Sequence, residues 1–376
     1  MNNSMIQNQE HYYAIQVWRY FPPIFLVVGT FGNCLTITVL TRRKNKISPT
    51  SVYLTSLAIS DLIVLWAALL FQYLKQAYDF DMSSFSSVQC KLLLFFSYFS
   101  LQFSSFMIVF VTVERVICVL LPQKAKKICR TRSALAVSVA SFLILFLVNA
   151  HWLFVIDVQT VEIHKLNVSI RKSECMPLTE ADKLFIENVW PWIDLVIFYL
   201  IPSFVLIVGS LAIIIRLRVN KSKRQTQIAP LSNSQSATDK MSAQLTRMLL
   251  VLDIVFVVCT TPITVYLTIF TDELSASDDT RTYTTNELVW ATVCMLMFFN
   301  NTINFVLYFL SGSKFRKEVK KLFCRDKAIS TNLITGSNVE SNNLTEKYKQ
   351  TTVEMNTLQT KAGISSGQHP STSNNH

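Results

Sequence analysis

The stretch from Leu92 to Leu120 reads LLLFFSYFSLQFSSFMIVFVTVERVICVL, and no charged side chain appears in it before Glu114. A run of about 20 mostly apolar residues is long enough to cross a lipid bilayer as an α-helix. Strands of a membrane barrel would instead alternate apolar and polar residues. Six more blocks show the same pattern, at Phe21–Leu40, Val52–Leu74, Ala134–Ile156, Val189–Ile215, Leu249–Phe270 and Leu288–Leu310. The sequence therefore predicts an all-α membrane protein, a seven-transmembrane helix bundle.

The composition excludes an ordinary soluble enzyme. The 376 residues are 51% hydrophobic and only 16% charged, against about 25% charged residues in an average soluble domain. No catalytic triad, phosphate-binding loop or zinc-ligand spacing occurs, so we expect neither an enzyme nor a resident cofactor. The net charge of +11 is explained by loops that lie beside anionic lipid head groups of the bilayer, and nucleic acid is not needed as a partner.

Basic residues mark one side of the membrane. They crowd the first, third and fifth connections and the segment after the last block, in the ranges 42–46, 124–132, 216–240 and 314–321. The other side carries acidic residues, among them Asp79, Asp81, Asp272 and Asp278. Because positively charged loops stay in the cytoplasm, the pattern predicts an extracellular N-terminus and a multi-pass protein of the plasma membrane.

Four segments follow from this pattern. We predict an extracellular N-terminus at 1–19, a membrane domain at 20–312, an amphipathic membrane-surface helix at 313–324 and a disordered cytoplasmic tail at 325–376. Cys324 stands where palmitoylation is common, with a free thiol as the equal alternative. Tryptophans at the outer ends of the spans fit an interfacial belt, namely Trp18, Trp152, Trp190, Trp192 and Trp290.

Two cysteines and two sequons lie on the predicted extracellular side. Cys90 begins the third span and Cys175 lies in the second outer loop. Because that compartment is oxidising, we expect a disulfide between them that holds the loop over the helix bundle. Asn2 and Asn167 begin glycosylation sequons on the same side.

Polar motifs inside the spans follow one another in a definite order. They are Gly32-Asn33, Leu57-Ala-Ile-Ser-Asp61, Glu114-Arg115-Val116, Pro202, Phe256 with Pro262, and Asn304-Phe-Val-Leu-Tyr308. From Tyr20 to Cys324 the chain resembles the rhodopsin-like G-protein-coupled receptors. The resemblance implies that an outer ligand favours a state whose cytoplasmic face binds a heterotrimeric G protein. It also implies that receptor kinases and arrestin act on the Ser/Thr-rich tail.

The resemblance assigns roles to several of these residues. Switching and G-protein coupling would involve Glu114, Arg115, Phe256, Pro262, Asn304 and Tyr308. A pocket for an allosteric sodium ion would be formed by Asp61, Ser104, Asn300 and Asn304, whose oxygens suit a hard cation. The alternative is a neutral Asp61 in a structural hydrogen-bond network.

The chain departs from the family at positions that matter for switching. Thr260 stands where a sixth-helix tryptophan is expected, and Phe305 replaces the seventh-helix proline, which removes a helix kink. Ser210 replaces a fifth-helix tyrosine, and Ser242 replaces the acidic partner of Arg115. An inner ionic latch without that partner predicts some ligand-independent signalling.

The outer half of the bundle points to a peptide ligand. No lysine in the last span could hold retinal, and Ser97 stands where amine receptors carry an acidic counter-ion. By family correspondence the pocket is lined by Phe71, Gln72, Ser97, Tyr98, Leu101, Tyr266, Leu267 and Trp290, with Asp194 on the fifth span. Carboxylates around an aromatic cleft suit a short peptide that carries Arg and aromatic residues. Asp194 could instead pair with another helix or with neighbouring backbone.

The finer likeness rests on two short runs. Trp190-Pro-Trp-Ile-Asp194 and the Asn304-Phe-Val-Leu-Tyr308 ending are most similar to invertebrate neuropeptide receptors, including the FMRFamide-type, amidated-peptide group. We therefore predict a neuropeptide receptor. One alternative is a receptor of the same fold for a lipid or other small apolar ligand. A more distant one is a transporter or channel, although no internal repeat supports it.

Overall fold

The computed structural model describes residues 2–42, 48–165, 168–226, 233–270, 280–311 and 315–322. In these ranges seven helices are long and apolar enough to cross a bilayer, which confirms the predicted helix bundle. We number them α1 to α7 in chain order. The first four are α1 at Asn2–Thr41, α2 at Pro49–Tyr78, α3 at Ser87–Leu120 and α4 at Thr131–Asn149, which ends in the turn Ala150–Leu153. Helix α5 is a series of consecutive helical segments that begins with Glu180–Leu184 and ends with Ile201–Thr226. Helix α6 is Asn233–Val265 followed by Tyr266–Phe270, and α7 is Thr280–Ser311.

α1 begins far earlier than its apolar block. Hydropathy predicts the first span from Phe21, but the helix starts at Asn2 and includes the predicted N-terminal segment. Ala14 and Trp18 are four residues apart, share one helical face, and are buried in a cluster with residues of α2 and α7. At the same end, the His11 Nδ1 atom lies 2.6 Å from the Glu287 Oε2 atom of α7. The extension is thus held by contacts that a hydropathy profile does not detect.

Three helices contain π-helical turns, in which the backbone hydrogen bond spans one residue more than in an α-helix. These turns are Val64–Leu69 in α2, Phe185–Val189 and Leu195–Leu200 in α5, and Tyr266–Phe270 in α6. All of them lie in the half of the bundle that carries the disulfide bond. They turn the residues beyond them relative to an ordinary helix, so they decide which side chains of that half face inward.

A β-hairpin lies between α4 and α5. Strand β1 (Ile156–Lys165) pairs antiparallel with β2 (Val168–Pro177), and Val158 stands opposite Cys175. The predicted disulfide is present and joins Cys175 to Cys90 on the first turn of α3. The hairpin itself was not predicted, although the alternation of apolar and polar residues from Ile156 onward is a strand pattern.

Glycine permits the close approach of α1 to α7. A methyl group at Gly32 would lie 2.7 Å from the Phe305 Cβ atom, so a side chain there would push the helices apart. Phe305 is the residue that replaces the proline of the family, and α7 passes through it as a continuous helix. Its ring packs edge-on against Phe31 of α1 at a centroid distance of 6.4 Å.

Three of the predicted belt tryptophans are interior residues. Trp18, Trp152 and Trp190 are only 2%, 3% and 3% exposed, whereas Trp192 is 60% exposed. The three buried tryptophans pack inside the half of the bundle that carries the disulfide bond and do not lie at the lipid interface.

Some predictions fall on or beside the limits of the described ranges. Residues 315–322 form a short helix inside the predicted amphipathic segment 313–324. Asn167, Cys324 and the predicted tail at 325–376 lie outside the described residues.

Candidate functional site

The two ends of the bundle carry different chemistry. We call the end with the Cys90–Cys175 bond the disulfide end, and the end where α3 carries Arg115 the basic end. The residues predicted to bind ligand lie toward the disulfide end, and those predicted to couple to a G protein lie toward the basic end.

An aromatic group at the disulfide end joins α3, α4 and α5. The Tyr98 ring stacks on Trp152 at 4.9 Å with an interplanar angle of 9°, and meets Trp190 edge-on at 5.5 Å. The His151 ring lies 4.2 Å from the Trp190 ring. Sequence reasoning selected Tyr98 but left out both tryptophans, since it assigned them to the lipid interface. Offset and edge-on ring contacts of this kind give the group a defined shape.

A polar chain lies beside this aromatic group. Asn149 of α4 donates its Nδ2–H to the Gln102 Oε1 atom at 2.7 Å, and Gln102 Nε2 donates to Asp194 Oδ1 at 2.8 Å. Gln102 and Asn149 have no exposed surface, and Asp194 is partly exposed. The second oxygen of Asp194 has no hydrogen-bond partner among the described residues. Asp194 therefore pairs with α3 through one carboxylate oxygen, as the alternative for this residue allowed.

The other predicted ligand-binding residues lie around a second cluster between α2, α6 and α7. Leu101, Tyr266 and Trp290 pack against it, and the rings of Tyr266 and Trp290 are 5.5 Å apart. Phe71 is buried on α2, where the Lys75 Nζ atom lies 5.7 Å from its ring centroid. The predicted set is thus divided between two groups, with α3 contributing to both through Tyr98 and Leu101.

Three predicted ligand-binding residues play a smaller part in this arrangement. The Ser97 hydroxyl donates to the Leu93 carbonyl oxygen of its own helix at 2.6 Å. Gln72 is a partly exposed residue of α2, and Leu267 is an exposed residue of the π-helical end of α6.

Ion pairs fasten the loops of the disulfide end. Hydrogen bonds from the Ser87 side chain, the Val158 backbone N–H and Lys91 hold the pKa of Asp157 below its ordinary value. The Lys91 Nζ atom is 3.2 Å from Asp157 Oδ2, which joins the start of β1 to α3. Both ends of the hairpin attachment, the ion pair and the disulfide, are therefore on the first turns of α3.

Asp81 forms a similar attachment at the end of α2. Burial acts to raise the pKa of this carboxyl, but hydrogen bonds from Ser83 and Lys75 and the charge of Lys75 outweigh it, so the pKa is lowered. The Lys75 Nζ atom is 2.9 Å from Asp81 Oδ2.

Asp61 sits fully buried among three helices. Its Oδ1 atom accepts hydrogen bonds from Ser104 Oγ and from Asn301 Nδ2, and its Oδ2 atom accepts one from Asn304 Nδ2, each at 2.7 Å. Asn300, the residue predicted for this pocket, is buried but makes no hydrogen bond to Asp61, and the neighbouring Asn301 does so instead. The Asn304 Oδ1 atom is buried without a partner among the described residues. Carboxylate, hydroxyl and amide oxygens thus lie together at one buried point.

At the basic end, Arg115 is held by its own helix and by α2. Its guanidinium lies 3.5 Å from the Glu114 Oε1 atom and also donates to the Thr50 hydroxyl. The Thr50 hydroxyl in turn donates to Glu114 at 2.8 Å. Sequence reasoning selected the Glu114–Arg115 pair but not Thr50, which has no family motif around it.

Of the remaining switch residues, Phe256 and Tyr308 are buried and Pro262 is partly buried. Phe256 is 1% exposed and meets the Phe198 ring edge-on at 6.3 Å. Pro262 lies within α6. Tyr308 is 2% exposed, and its hydroxyl has no partner among the described residues.

A groove of about 500 Å³ runs along the outer face of α5. It is lined by Asn188, Val189, Trp192, Ile193, Val196 and Ile197. None of these is a predicted ligand-binding residue, and the groove is apolar. It does not belong to the candidate site.

Comparison with known proteins places the chain among membrane receptors. Residues 32–308 match the family model described as 7 transmembrane receptor (rhodopsin family). The thyrotropin-releasing hormone receptor of Gallus gallus is 26% identical over 315 residues, which cover 78% of this chain and 75% of that receptor. The thyrotropin-releasing hormone receptor of Homo sapiens is 27% identical over 321 residues, which cover 80% and 76%. These relatives are hormone receptors and do not single out the invertebrate amidated-peptide group.

Proposed function

Because the chain belongs to the rhodopsin family of seven-transmembrane receptors, we propose that it is a plasma-membrane receptor for a short, amidated neuropeptide. The disulfide end then faces the extracellular side and the basic end faces the cytoplasm. Ligand binding shifts the bundle toward a state that engages a heterotrimeric G protein. Receptors of this family are not enzymes, and membership also favours a receptor over a transporter or channel.

The observation that carries the ligand class is the surroundings of Asp194. One of its oxygens accepts a hydrogen bond from Gln102, while the other has no partner in the described part of the chain. A carboxylate oxygen without a partner can accept a charge-assisted hydrogen bond from a cationic group of a ligand. The aromatic group of Tyr98, Trp152 and Trp190 lies beside it; the two tryptophans are buried, so the partly exposed Tyr98 ring is the member that a guanidinium or an aromatic side chain would meet.

The test compares two forms of one peptide on the variant Asp194→Asn. For an amidated peptide with one Arg, we expect the substitution to lower potency by at least about ten-fold, in line with the loss of a charge-assisted hydrogen bond. For the same peptide with citrulline in place of Arg, which is uncharged, we expect little change. The measurement is the concentration–response curve of both peptides in cells matched for surface receptor.

Glu162→Gln provides the matched control, because this carboxylate is exposed on β1 and pairs with Arg171 of β2. It should leave both curves unchanged. An equal loss for both peptides on Asp194→Asn would remove the proposed charge pairing. A response to a lipid or other small apolar ligand that survives Asp194→Asn would favour that alternative class of receptor.

Coupling to a G protein is tested through Arg115. Calcium and cyclic AMP responses would be recorded in cells challenged with amidated peptides, amines and lipids. We expect one peptide family to act, and Arg115→Ala to abolish its effect at normal surface expression. A well-expressed receptor that stays silent toward every peptide would contradict the proposed ligand class.

We also propose that the Asp61 site takes a sodium ion as an allosteric ligand. The carboxylate, the Ser104 hydroxyl and the unpartnered Asn304 Oδ1 atom supply oxygens of the kind that a hard cation prefers. Agonist affinity should then fall as sodium replaces N-methylglucamine at constant ionic strength, and Asp61→Asn should remove the dependence. Equal sodium dependence in wild type and variant would leave Asp61 a purely structural hydrogen-bond acceptor.

The remaining features rest on the sequence alone. They are glycosylation at Asn2 and Asn167, palmitoylation at Cys324, and recruitment of receptor kinases and arrestin by the tail. Each is part of the proposed function.

A further inference from the structure

A second buried carboxylate lies on α6, far from the Asp61 site in sequence and in partners. Asp253 is 3% exposed. Its Oδ1 atom accepts a hydrogen bond from Thr112 Oγ1 of α3 at 2.8 Å, and its Oδ2 atom accepts one from Ser210 Oγ of α5 at 2.6 Å. One side chain therefore joins α6 to two other helices at once.

Asp253 lies near the residues predicted to couple to a G protein. Thr112 precedes Arg115 by three residues, about one turn of α3, so Asp253 lies close to the coupling residues of the basic end. Arg115 itself is bonded to Glu114 and Thr50, on α3 and α2. The described contacts of Arg115 thus leave α6 untouched, whereas those of Asp253 engage it directly.

The hydrogen bonds of Asp253 are costly to lose while the helices stay packed, but water can replace them once α6 has moved away. A carboxylate within the membrane is costly and has to find hydrogen-bond partners. Thr112 is buried, so no bulk water can take the place of its hydroxyl while the helices stay together. If α6 moved away from α3 and α5 at this level, water would enter and solvate the carboxylate, which offsets much of the loss.

We propose that Asp253, Thr112 and Ser210 form a clamp that holds α6 against α3 and α5 in the resting receptor, and that opening of this clamp is part of activation. The proposal rests on the receptor function given above and adds the residues that set its resting activity. Ser210, which stands in place of a family tyrosine, acts here as a donor to α6. Asp253 is a positioning residue, since it touches neither ligand nor G protein.

Loss of either hydroxyl should weaken the resting state. A hydrogen bond to a charged acceptor contributes enough free energy for a population change of about ten-fold. We expect Thr112→Val and Ser210→Ala each to raise ligand-free signalling several-fold, up to about ten-fold, and the double variant to raise it further. Asp253→Asn keeps the size of the side chain but replaces one acceptor by a donor, so it should produce an intermediate rise.

The primary measurement is made on the purified full-length receptor without ligand or G protein. Spin labels on non-canonical amino acids at the exposed positions Arg132 of α4 and Arg247 of α6 report their separation by double electron–electron resonance. We expect the double variant to shift the distribution toward longer distances. Thr36→Val is the control, because within the described part of the chain this buried hydroxyl bonds only to the Gly32 carbonyl oxygen of its own helix.

The outcomes separate the clamp from the proposed function. A longer distance together with raised ligand-free signalling supports both, and a longer distance without any G-protein signal supports the clamp but contradicts the coupling. An unchanged distance distribution in the double variant and in Asp253→Asn overturns the clamp, whatever the signalling assays show. If the double variant reaches the surface poorly, Asp253→Asn decides the matter, since it preserves volume.

Discussion

Gln102 links two polar side chains of neighbouring helices. It accepts from Asn149 and donates to Asp194, so three helices depend on one amide. Family motifs do not mark this residue, and sequence reasoning passed over it. The available signal was physical, because an amide in the middle of an apolar span is expensive and has to find a partner.

We expect Gln102→Leu to destabilise the receptor by about 1–3 kcal/mol, because it leaves the Asp194 carboxylate without its donor and removes one of the two hydrogen bonds that the Asn149 amide donates. The measurement is the thermal unfolding temperature of purified receptor, which should fall. Ser138→Ala is the matched control, since the Ser138 hydroxyl is buried on α4 without a partner among the described residues. Equal melting temperatures for wild type and Gln102→Leu would show that the hydrogen bonds of Gln102 contribute nothing to stability.

The lowered pKa of Asp157 predicts how the attachment of the hairpin to α3 responds to acid. Hydrogen bonds from Ser87, Val158 and Lys91 lower its pKa below 3.8, so its stabilising contribution is present above the unfolded pKa and lost as the pH falls through the folded value. Hydrogen exchange of the β1 and β2 amides should therefore be unchanged between pH 7 and pH 5, apart from the intrinsic rate. Protection that declines already between pH 6 and pH 5 would contradict this. Asp157→Asn should weaken protection throughout the range.

The Asp61 site shows the limit of motif transfer at this scale. Asp61, Ser104 and Asn304 come together as the family resemblance implied, but Asn301 takes the place that was expected for Asn300. Adjacent residues on a helix differ by about 100° in direction, so an exchange of neighbours reflects the rotation of α7. Sequence spacing alone does not determine that rotation.

At the scale of single elements, the contact of α1 with α7 depends on Gly32. Substitution Gly32→Ala would place a methyl group 2.7 Å from the Phe305 Cβ atom, close to the backbone of α7, where little movement is available. We expect a net destabilisation of about 1–3 kcal/mol from this overpacking.

Gly29→Ala is the comparison. Its methyl group would meet the end of the flexible Leu65 side chain at 2.6 Å, which can turn aside. The better helix propensity of alanine then makes the change close to neutral. The unfolding temperatures should rank Gly32→Ala below Gly29→Ala, and Phe305→Ala should not relieve the first, because alanine keeps the Cβ atom that the new methyl group meets. The reverse order would mean that α1 and α7 can separate without cost.

The helices also show what hydropathy can and cannot predict. The apolar blocks locate all seven spans because bilayer thickness sets a minimum length. They miss the start of α1 at Asn2, where tertiary packing of Trp18 rather than lipid contact supports the helix. They also miss the π-helical turns, since a change of one residue in a hydrogen bond leaves no mark on average hydrophobicity.

For the whole molecule, the disulfide bond should matter for ligand binding at one end of the bundle more than for G-protein coupling at the other. It joins residues 85 positions apart and fixes the hairpin to α3. We expect the double variant Cys90→Ala/Cys175→Ala to lose ligand binding much more than the ability of the basic end to engage a G protein. Ligand-free signalling of the Thr112→Val variant in that background would measure the second property. Loss of both together would show that the bridge stabilises the entire bundle.

The π-helical turns of α5 have a consequence for anyone who transfers results between receptors. The exposed side chains of Trp192, Val196, Leu200 and Phe204 are spaced four residues apart, with Ile201 also exposed, across a stretch that contains the turn Leu195–Leu200. An ordinary α-helix has 3.6 residues per turn, so its exposed positions would drift away from a four-residue spacing. A cysteine scan of α5 with a lipid-soluble reagent should show this slip in phase. Position-by-position tables drawn from a relative with a regular α5 would then be offset by one residue at Asp194, the side chain on which ligand selectivity is proposed to depend.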